Sequence, residues 1–299
     1  MTASAVRFSG VEKTYPHFKL AGLDFDLPQG QIMGFIGPNG AGKSTTMRIL
    51  MGLIHQDRGQ VEVLGRPMPA EQVAAKWDIG FVSEDMSLYS RQTLAWHMEF
   101  LQGIFPAWDP DYAQRLTRRF GLQPQQKIKE FSHGQKVKAA LLLALARRPR
   151  LLVLDEPTTG LDPVARHEVL DELMEVLADE ERSIFFSSQN THDIEQLSDS
   201  IAFIDRGRII DLADKETYLD RWRRLRLEVP QQIDLPPVDD IVDVRHQGRL
   251  AVVTTDRFAP TMANTYQTAG ATVQKIEPMT LEEIFVANVQ RSRGGQDNE

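Results

Sequence analysis

The sequence predicts an α/β fold in which a parallel β-sheet forms the core of a large domain. Three observations support this prediction. Short continuous apolar runs alternate with helical segments after residue 150, a glycine-rich loop lies between a strand and a helix, and the hydrophobic pattern changes near residue 220. With 299 residues, of which 41% are hydrophobic, the chain is long enough for one large domain and one small domain.

The elements of the large domain, residues 1–220, follow in order along the chain. Strand-like segments at Ala5–Phe8 and Leu23–Leu27 predict an N-terminal β-rich lobe. From Leu88 to Ala146 the apolar residues recur at helical spacing, which predicts an inserted helical subdomain at about 86–147. The later apolar runs predict buried parallel strands, and a helix at about Val164–Leu177 follows the first of them; the strands are Leu151–Leu154, Ile184–Phe186 and Ile201–Ile204.

The remaining residues, 221–299, predict a small accessory α+β domain. Alternating segments at Ile241–Val244 and Leu250–Val253 predict strands, and a helix, a strand and a last helix follow them. The basic segment Arg221–Arg226 is interpreted as a solvated linker, with contact to anionic lipid headgroups as the alternative.

Composition and charge limit the classes of partner. The formal net charge is -8 and the Lys and Arg residues are scattered, which argues against nucleic acid as a partner. Cysteine is absent, so disulfides and thiol chemistry are excluded. The first seven residues lack a basic head followed by an apolar block, so secretion is not expected. The longest apolar run, Ala139–Ala146, is too short to span a membrane, so a membrane role would need a partner.

The glycine-rich loop is a candidate site for polyphosphate. It follows the apolar segment Ile32–Ile36 and precedes an amphipathic helix that begins near Thr46. Glycines allow backbone N–H groups to turn toward a ligand, and the helix N-terminus adds a positive dipole. Lys43 can reach the β- and γ-phosphates, and the Ser44 hydroxyl can bind Mg²⁺. An ordinary strand-to-helix turn is the alternative for this phosphate loop, which consists of Gly37, Pro38, Asn39, Gly40, Ala41, Gly42, Lys43, Ser44 and Thr45.

Two carboxylates end the apolar run that starts at Leu151. In a parallel sheet, ligands bind at the carboxyl ends of the strands. Asp155 can hold Mg²⁺, through water, and Glu156 can orient or deprotonate the water that attacks a γ-phosphate. A solvated Asp-Glu-Pro turn is the alternative interpretation.

These two segments resemble those of the ATPase subunit of ATP-binding cassette (ABC) transporters, and the resemblance covers residues 4–215. The segment Phe131–Gln135 is similar to the family's signature, Leu-Ser-Gly-Gly-Gln, at the start of a helix. The resemblance implies that Ser132, Gly134 and Gln135 bind the nucleotide held by a second subunit, so that hydrolysis requires a dimer. A helix capped by Ser132 is the alternative.

Further positions match the family one by one. Tyr15 matches the aromatic residue that stacks on adenine, although a tyrosine packed on the β-rich lobe would fit as well. Asp162 matches a loop that links the two sites across the dimer, and it can cap the next helix at the same time.

Two positions depart from the family pattern. Glu84 stands where the family has a glutamine that touches Mg²⁺ and the attacking water; a carboxylate can bind Mg²⁺, and a surface hinge is the alternative. Gln189 stands where the family has a histidine at the γ-phosphate. An amide can donate to phosphate but cannot become cationic, so slow turnover is expected. His192, three residues later, could substitute for Gln189 but is expected on the helix surface.

The resemblance implies a complete function. The expected cofactors are ATP and Mg²⁺, and the expected partners are separate membrane-spanning permease subunits and a second ATPase subunit, in a homodimer or a heterodimer. Asp85–Tyr89 fall where the family contacts its membrane partner. The C-terminal extension is similar to that of exporters, which implies export at the cytoplasmic face of the cell membrane. A soluble regulatory ABC ATPase and a low-activity nucleotide-sensing subunit are the alternatives.

Overall fold

The computed structural model describes residues 3–176, 182–230 and 235–294. The chain divides into two compact units, residues 1–209 and 210–299. Within the described residues the first unit combines an antiparallel sheet, a largely parallel sheet and helices, which confirms the predicted α/β fold.

The N-terminal lobe is a four-stranded antiparallel sheet in the order β2-β1-β4-β5. Its strands are β1 (Ser4–Tyr15), β2 (Phe18–Pro28), β4 (Arg58–Val63) and β5 (Arg66–Met68). The predicted strands Ala5–Phe8 and Leu23–Leu27 lie within β1 and β2. Apolar residues of both strands pack toward the core while the polar residues between them are exposed. The sequence pattern of this lobe is therefore typical of half-buried strands.

The central sheet has six strands in the order β10-β9-β3-β8-β7-β6. Every residue of β3, β7 and β8 is buried, because helices and the N-terminal lobe pack against the central sheet. The strands are β3 (Ile32–Ile36), β6 (Ile79–Ser83), β7 (Leu151–Asp155), β8 (Ser183–Ser188), β9 (Ser200–Asp205) and β10 (Arg208–Asp214).

Helices of the first unit fall into two groups. Those outside the helical insert are α1 (Lys43–Leu50), α6 (Pro163–Val176) and α7 (Thr191–Leu197), which follow strands of the central sheet, and α2 (Gln72–Trp77), which lies between β5 and β6. The predicted helix Val164–Leu177 corresponds to α6, and its last residue lies outside the described residues. The helical insert contains α3 (Leu94–Ile104), α4 (Pro110–Arg119) and α5 (His133–Leu145).

Strand register brings four loops to one edge of the central sheet. Ser83 of β6 pairs with Asp155 of β7, and Asp155 pairs with Ser187 of β8. On the other side of β8, Ser188 pairs with Ile36 of β3. Since these strands are parallel and end at the same level, the residues that follow them meet at this edge.

Stacked phenylalanines join the lobe to the central sheet. The ring of Phe25, in β2, lies 4.6 Å from that of Phe8 and 5.5 Å from that of Phe185, measured between centroids. Phe35 of β3 lies 5.3 Å from Phe185. All four side chains are at most 5% exposed. This packing fixes the lobe against the strand that leads into the phosphate loop.

The second unit has a four-stranded antiparallel sheet in the order β12-β13-β11-β14. Its elements are α8 (Lys215–Arg221), β11 (Arg223–Glu228), β12 (Ile241–Gln247), β13 (Leu250–Thr255), α9 (Pro260–Thr268), β14 (Thr272–Pro278) and α10 (Leu281–Gly294). The interpretation of Arg221–Arg226 as a linker is wrong. Most of this segment forms β11, in which Leu225 and Leu227 are buried in the core while Arg226, between them, is exposed.

The boundary between the two units lies inside β10, before the change of pattern at residue 220. Helix α8 packs against α10 and therefore belongs to the second unit. Its Tyr218, and Trp222 just after it, are fully buried. The change in sequence pattern marks the first strand of the second sheet, whereas the structural unit already begins with the helix before it.

Candidate nucleotide site

Close packing around the phosphate loop accounts for its glycines. A Cβ atom on Gly37 would lie 2.3 Å from the carbonyl oxygen of Ile204, so no larger residue fits there without a shift. Gly42 has a φ of 115°, and a Cβ on it would lie 2.6 Å from the Leu20 side chain. The loop is thus held by close contacts that favour glycine at these two positions.

The phosphate loop borders an open cleft of about 490 Å³ at the edge of the central sheet. Glu84, Glu156 and Gln189 line this cleft although they follow three different strands. The structure therefore brings together the loop and three of the predicted side chains. The lining residues are His17, Phe18, Pro38, Asn39, Gly40, Ala41, Gly42, Lys43, Ser44, Thr45, Glu84, Glu156 and Gln189.

Lys43 and Glu156 form a buried ion pair inside the cleft. Their side chains are 6% and 8% exposed, and Lys43 Nζ lies 3.3 Å from Glu156 Oε1. Lys43 Nζ also donates a hydrogen bond of 2.7 Å to the carbonyl oxygen of Gly37. Glu156 Oε1 accepts no hydrogen bond among the described residues, so its burial is compensated mainly by the charge of Lys43. This oxygen is therefore available to a hydrogen-bond donor that enters the cleft.

The backbone at Glu156 is strained and firmly held. Its φ of 53° lies in the left-handed region, which is uncommon for residues other than glycine. The N–H of Glu156 donates to Ser187 Oγ at 3.0 Å, and the same hydroxyl donates to Asp155 Oδ1 at 2.7 Å. Ser187 thus fixes both carboxylate residues relative to β8.

The second oxygen of Glu156 accepts two hydrogen bonds. The backbone N–H of Gln189 donates to Oε2 at 3.1 Å, and Thr159 Oγ1 donates to it at 3.2 Å. The amide side chain of Gln189 is exposed in the cleft. His192 is exposed on the first turn of α7 and does not line the cleft. Of these two residues the structure places Gln189 beside the phosphate loop.

The candidate metal ligands share the same edge of the sheet. Ser44 and Glu84 both line the cleft. Asp155 lines an adjoining cavity of about 280 Å³, to which Glu84 and Glu156 also contribute. Glu84 is exposed, so its side chain can reorient, whereas Asp155 is buried and fixed by Ser187.

The signature residues form a capped helix end outside the cleft. Ser132 Oγ accepts a hydrogen bond of 3.2 Å from the N–H of Gln135, and Gln135 Oε1 accepts one of 2.9 Å from the N–H of Ser132. This is a capping box at the start of α5. The residues Ser132, Gly134 and Gln135 are absent from the lining of the cleft. The structure thus separates the signature from the phosphate loop of the same chain.

Asp162 caps α6. Its Oδ1 accepts hydrogen bonds of 3.0 Å from the N–H groups of Ala165 and Val164. These bonds, that of Ala165 foremost, hold the pKa of Asp162 below its usual value, because they stabilise the carboxylate. The predicted capping role is therefore present.

Tyr15 does not line the cleft, whereas His17 and Phe18 do. The Tyr15 ring packs against Phe18, with 6.4 Å between centroids, and Lys13 Nζ lies 5.8 Å from the centre of the Tyr15 ring. The sequence interpretation missed His17 and Phe18. Their position directly after Tyr15 is the available signal, because His17 lies in the turn after β1 and Phe18 begins β2 beside Gly42.

Comparison with known proteins identifies the family. The ABC transporter family model matches residues 20–159. The daunorubicin resistance ATP-binding protein DrrA3 of Streptomyces coeruleorubidus is 30% identical over 305 aligned positions, which cover 96% of each chain. The chain belongs to the ABC transporter ATPase family. It is an ATP-binding subunit and an ATPase, as the motifs at the sheet edge predict.

Other relatives and solved structures agree with this assignment. The ABC transporter ATP-binding protein YtrB of Bacillus subtilis (strain 168) is 26% identical over 90% of this chain and 92% of its own. An ATP-binding subunit of an ABC transporter superposes with a TM-score of 0.65 at 26% identity, covering 71% of this chain and 90% of that one. A dimeric cassette bound to ADP and Pi, 21% identical, shows the same fold with a TM-score of 0.64, covering 70% of this chain and 98% of that one.

The exposed amide of Gln189 predicts a change in turnover rate. Gln189→His should raise kcat for ATP by about tenfold or more, because an imidazole can become cationic beside the γ-phosphate. Gln189→Ala should lower kcat because it removes the amide donor. Neither variant loses the backbone bond to Glu156. Steady-state ATPase rates check this, with His192→Ala as the control, and unchanged rates in both Gln189 variants would remove this side chain from the mechanism.

Proposed function

We propose that the chain hydrolyses ATP in a dimer with a second ATPase subunit, identical or related, and thereby drives separate membrane-spanning subunits in export. Closure of the dimer on ATP and reopening after hydrolysis are the mechanical steps. The proposed location is the cytoplasmic face of the cell membrane. No helix among the described residues is long and apolar enough to cross a membrane.

The main support for a dimer is that the signature residues lie outside the cleft of their own chain. One chain offers the phosphate loop and Glu156 in one cleft, while Ser132 and Gly134 stand at the N-terminus of α5 outside it. A helix N-terminus with a serine hydroxyl is an anion site. If a second chain presents this helix end to the cleft, the γ-phosphate is held from both sides.

Inside the cleft, ATP would redistribute the buried charges. The γ-phosphate competes with Glu156 for Lys43, since both are anions within reach of one ammonium group. Once Lys43 binds phosphate, Glu156 is free to accept a proton from the attacking water through Oε1. Gln189 would donate its side-chain N–H to the γ-phosphate. The roles proposed for Tyr15 in adenine stacking and for Asp162 between the two sites rest on the family resemblance.

The available oxygen donors suit Mg²⁺. A hydroxyl and two carboxylates, from Ser44, Glu84 and Asp155, are hard ligands of the type that this ion prefers. When bound, Mg²⁺ would neutralise charge on the β- and γ-phosphates. Because Glu84 is exposed and adds a third carboxylate near Asp155 and Glu156, we propose that its side chain turns inward when the metal arrives.

An exposed aromatic surface supports a membrane partner. Tyr89, Trp96 and Phe100, here called the aromatic surface, lie next to one another, with Trp96 stacked on Phe100 at 5.1 Å and edge-on to Tyr89 at 5.6 Å. Tyr89 is 65% exposed and Phe100 is 47% exposed. The imidazole of His97 accepts the Tyr89 N–H at 3.0 Å and so fixes the loop. Exposed clustered aromatics are typical of interaction sites.

Relatives support export as the direction. Proteins similar to this chain include the daunorubicin/doxorubicin resistance ATP-binding protein DrrA of Streptomyces peucetius and Nod factor export ATP-binding protein I of Burkholderia orbicola (strain AU 1054). The name of the second protein states export, and we propose the same direction for this chain. The second candidate function is a low-activity subunit paired with a more active one, and the replacement of the usual histidine by Gln189 favours it.

Replacing the proposed base should trap the dimer. Glu156→Gln keeps the size of the side chain but cannot accept the proton, so ATP should bind and persist. Light scattering after size-exclusion chromatography should show a dimer with ATP and a monomer with ADP. Adding Ser132→Arg to Glu156→Gln should restore the monomer while ATP still binds. A Glu156→Gln chain that stays monomeric with ATP bound would contradict the homodimer, and addition of a related subunit would then test the heterodimer.

Changing the aromatic surface should weaken membrane association. Phe100→Ser should reduce recovery of the protein with detergent-solubilised membranes several-fold, because aromatic anchors dominate most interfaces. ATPase activity of the isolated protein should stay within about twofold, since Phe100 lies outside the cleft. Val73→Ser, at a side chain that is 76% exposed on α2, is the matched control. Equal recovery of both variants would argue against this docking site, and recovery of the wild type only in the ribosomal or soluble fraction would favour a regulatory role.

A further inference from the structure

Two polar side chains, those of Thr158 and Arg166, contact Asp193 outside both the cleft and the adjoining cavity. Thr158 is buried, whereas the side chain of Arg166 is 25% exposed. The carboxylate of Asp193 is fully buried, in the first turn of α7. Thr158 Oγ1 donates to Asp193 Oδ2 at 2.6 Å. Arg166 Nε and Nη2 approach Asp193 Oδ1 at 2.6 and 2.5 Å. Both oxygens of this carboxylate are therefore satisfied.

The three residues come from the three segments that surround Glu156. Thr158 is two residues beyond Glu156 in the loop after β7. Asp193 lies on the helix that follows Gln189, whose N–H bonds Glu156 Oε2. Arg166 lies on α6, and its N–H donates to the carbonyl oxygen of Asp162 at 2.9 Å. One buried carboxylate thus ties together the loop after Glu156, the loop that carries Gln189 and the turn at Asp162.

The strained backbone of Glu156 depends on the contacts that hold the segments around it. Glu156 has a left-handed φ of 53°, and a residue other than glycine keeps such a conformation only where the surrounding structure fixes it. Glu156 itself is held by hydrogen bonds that it accepts from Thr159 and Gln189 and by one that it donates to Ser187. These hydrogen bonds can persist only while the loop after β7 and helix α7 keep their relative position. The hydrogen bond from Thr158 to Asp193 connects these two segments directly.

We propose that Thr158, Arg166 and Asp193 are positioning residues for ATP hydrolysis. They hold the Glu156 carboxylate in its catalytic orientation and connect it mechanically to Asp162. This inference rests on the proposed role of Glu156 as the base. A displaced base lowers the rate of the chemical step without changing the groups that bind ATP, because none of the three side chains lines the cleft.

Thr158→Val tests the proposal because valine keeps the shape of threonine and removes only the hydroxyl. We expect kcat to fall about 10- to 100-fold, since small displacements of catalytic groups have effects of this size. The dissociation constant for ATP should change less than twofold. Thr158→Ser, which keeps the hydroxyl, should restore most of kcat. Thr117→Val is the matched control, because Thr117 is also 8% exposed and donates to a carbonyl, that of Ala113, in the helical insert.

Two comparisons complete the test. In the Glu156→Gln background, Thr158→Val should lower the residual rate no further, because residues that act through one group are not additive. If Thr158→Val does not fold, Asp193→Asn, judged by the same split between kcat and ATP affinity, takes its place. A kcat equal to that of the wild type in a folded variant would overturn the positioning role. High activity of Glu156→Gln alone would instead overturn the role of Glu156 as the base.

Discussion

The register of four parallel strands is the constraint on which the site depends. Strands β3, β8, β7 and β6 end at one level, so Gly37, Gln189, Glu156 and Glu84 emerge side by side although they are far apart in sequence. No single loop could place a cation, a base and a phosphate cradle with this precision. The stacked phenylalanines of the core keep the strands in register, and the buried strands exclude water from one side of the site.

In the proposed mechanism, the ion pair between Lys43 and Glu156 links ATP binding to hydrolysis. Both side chains are buried, so neither charge is stable there without a partner. A phosphate that takes Lys43 leaves Glu156 with an uncompensated charge, which favours acceptance of a proton. The same two residues would therefore sense the γ-phosphate and act on it. The buried carboxylate of Asp193 lies one layer further back and connects this pair to the turn at Asp162.

Several strands, the helical insert and the phosphate loop could be predicted from the sequence because their patterns are local. Continuous apolar runs mark β7, β8 and β9, and the Ser-to-Gln spacing at 132 and 135 marks a capped helix. Other features depend on tertiary contacts. Nothing in the segment Arg221–Arg226 shows that it forms the centre of a second sheet, because its arginines find partners that are distant in sequence, such as Glu283 and Glu277.

The aromatic residues near the cleft show the same limit. Tyr15 matches a family position, and the structure adds that His17 and Phe18, which follow it, line the cleft. The course of the chain through one turn decides which aromatic ring lines the cleft. The local sequence pattern does not determine that course. Likewise, Thr158, Arg166 and Asp193 are unremarkable as single residues, and only the fold brings them into contact.

If each ATP site is completed by a second chain, as we propose, residues on the two sides of the site can be cross-linked between chains. Because the chain contains no cysteine, Asn39→Cys and Lys136→Cys can be made as two separate single-cysteine proteins. When they are mixed with ATP and a short bis-maleimide, we expect a cross-linked dimer that joins the phosphate loop of one chain to the start of α5 in the other. With ADP, or with either protein alone, this cross-link should be much weaker. Equal cross-linking with and without ATP, or none with ATP bound to both proteins, would contradict the two-chain site.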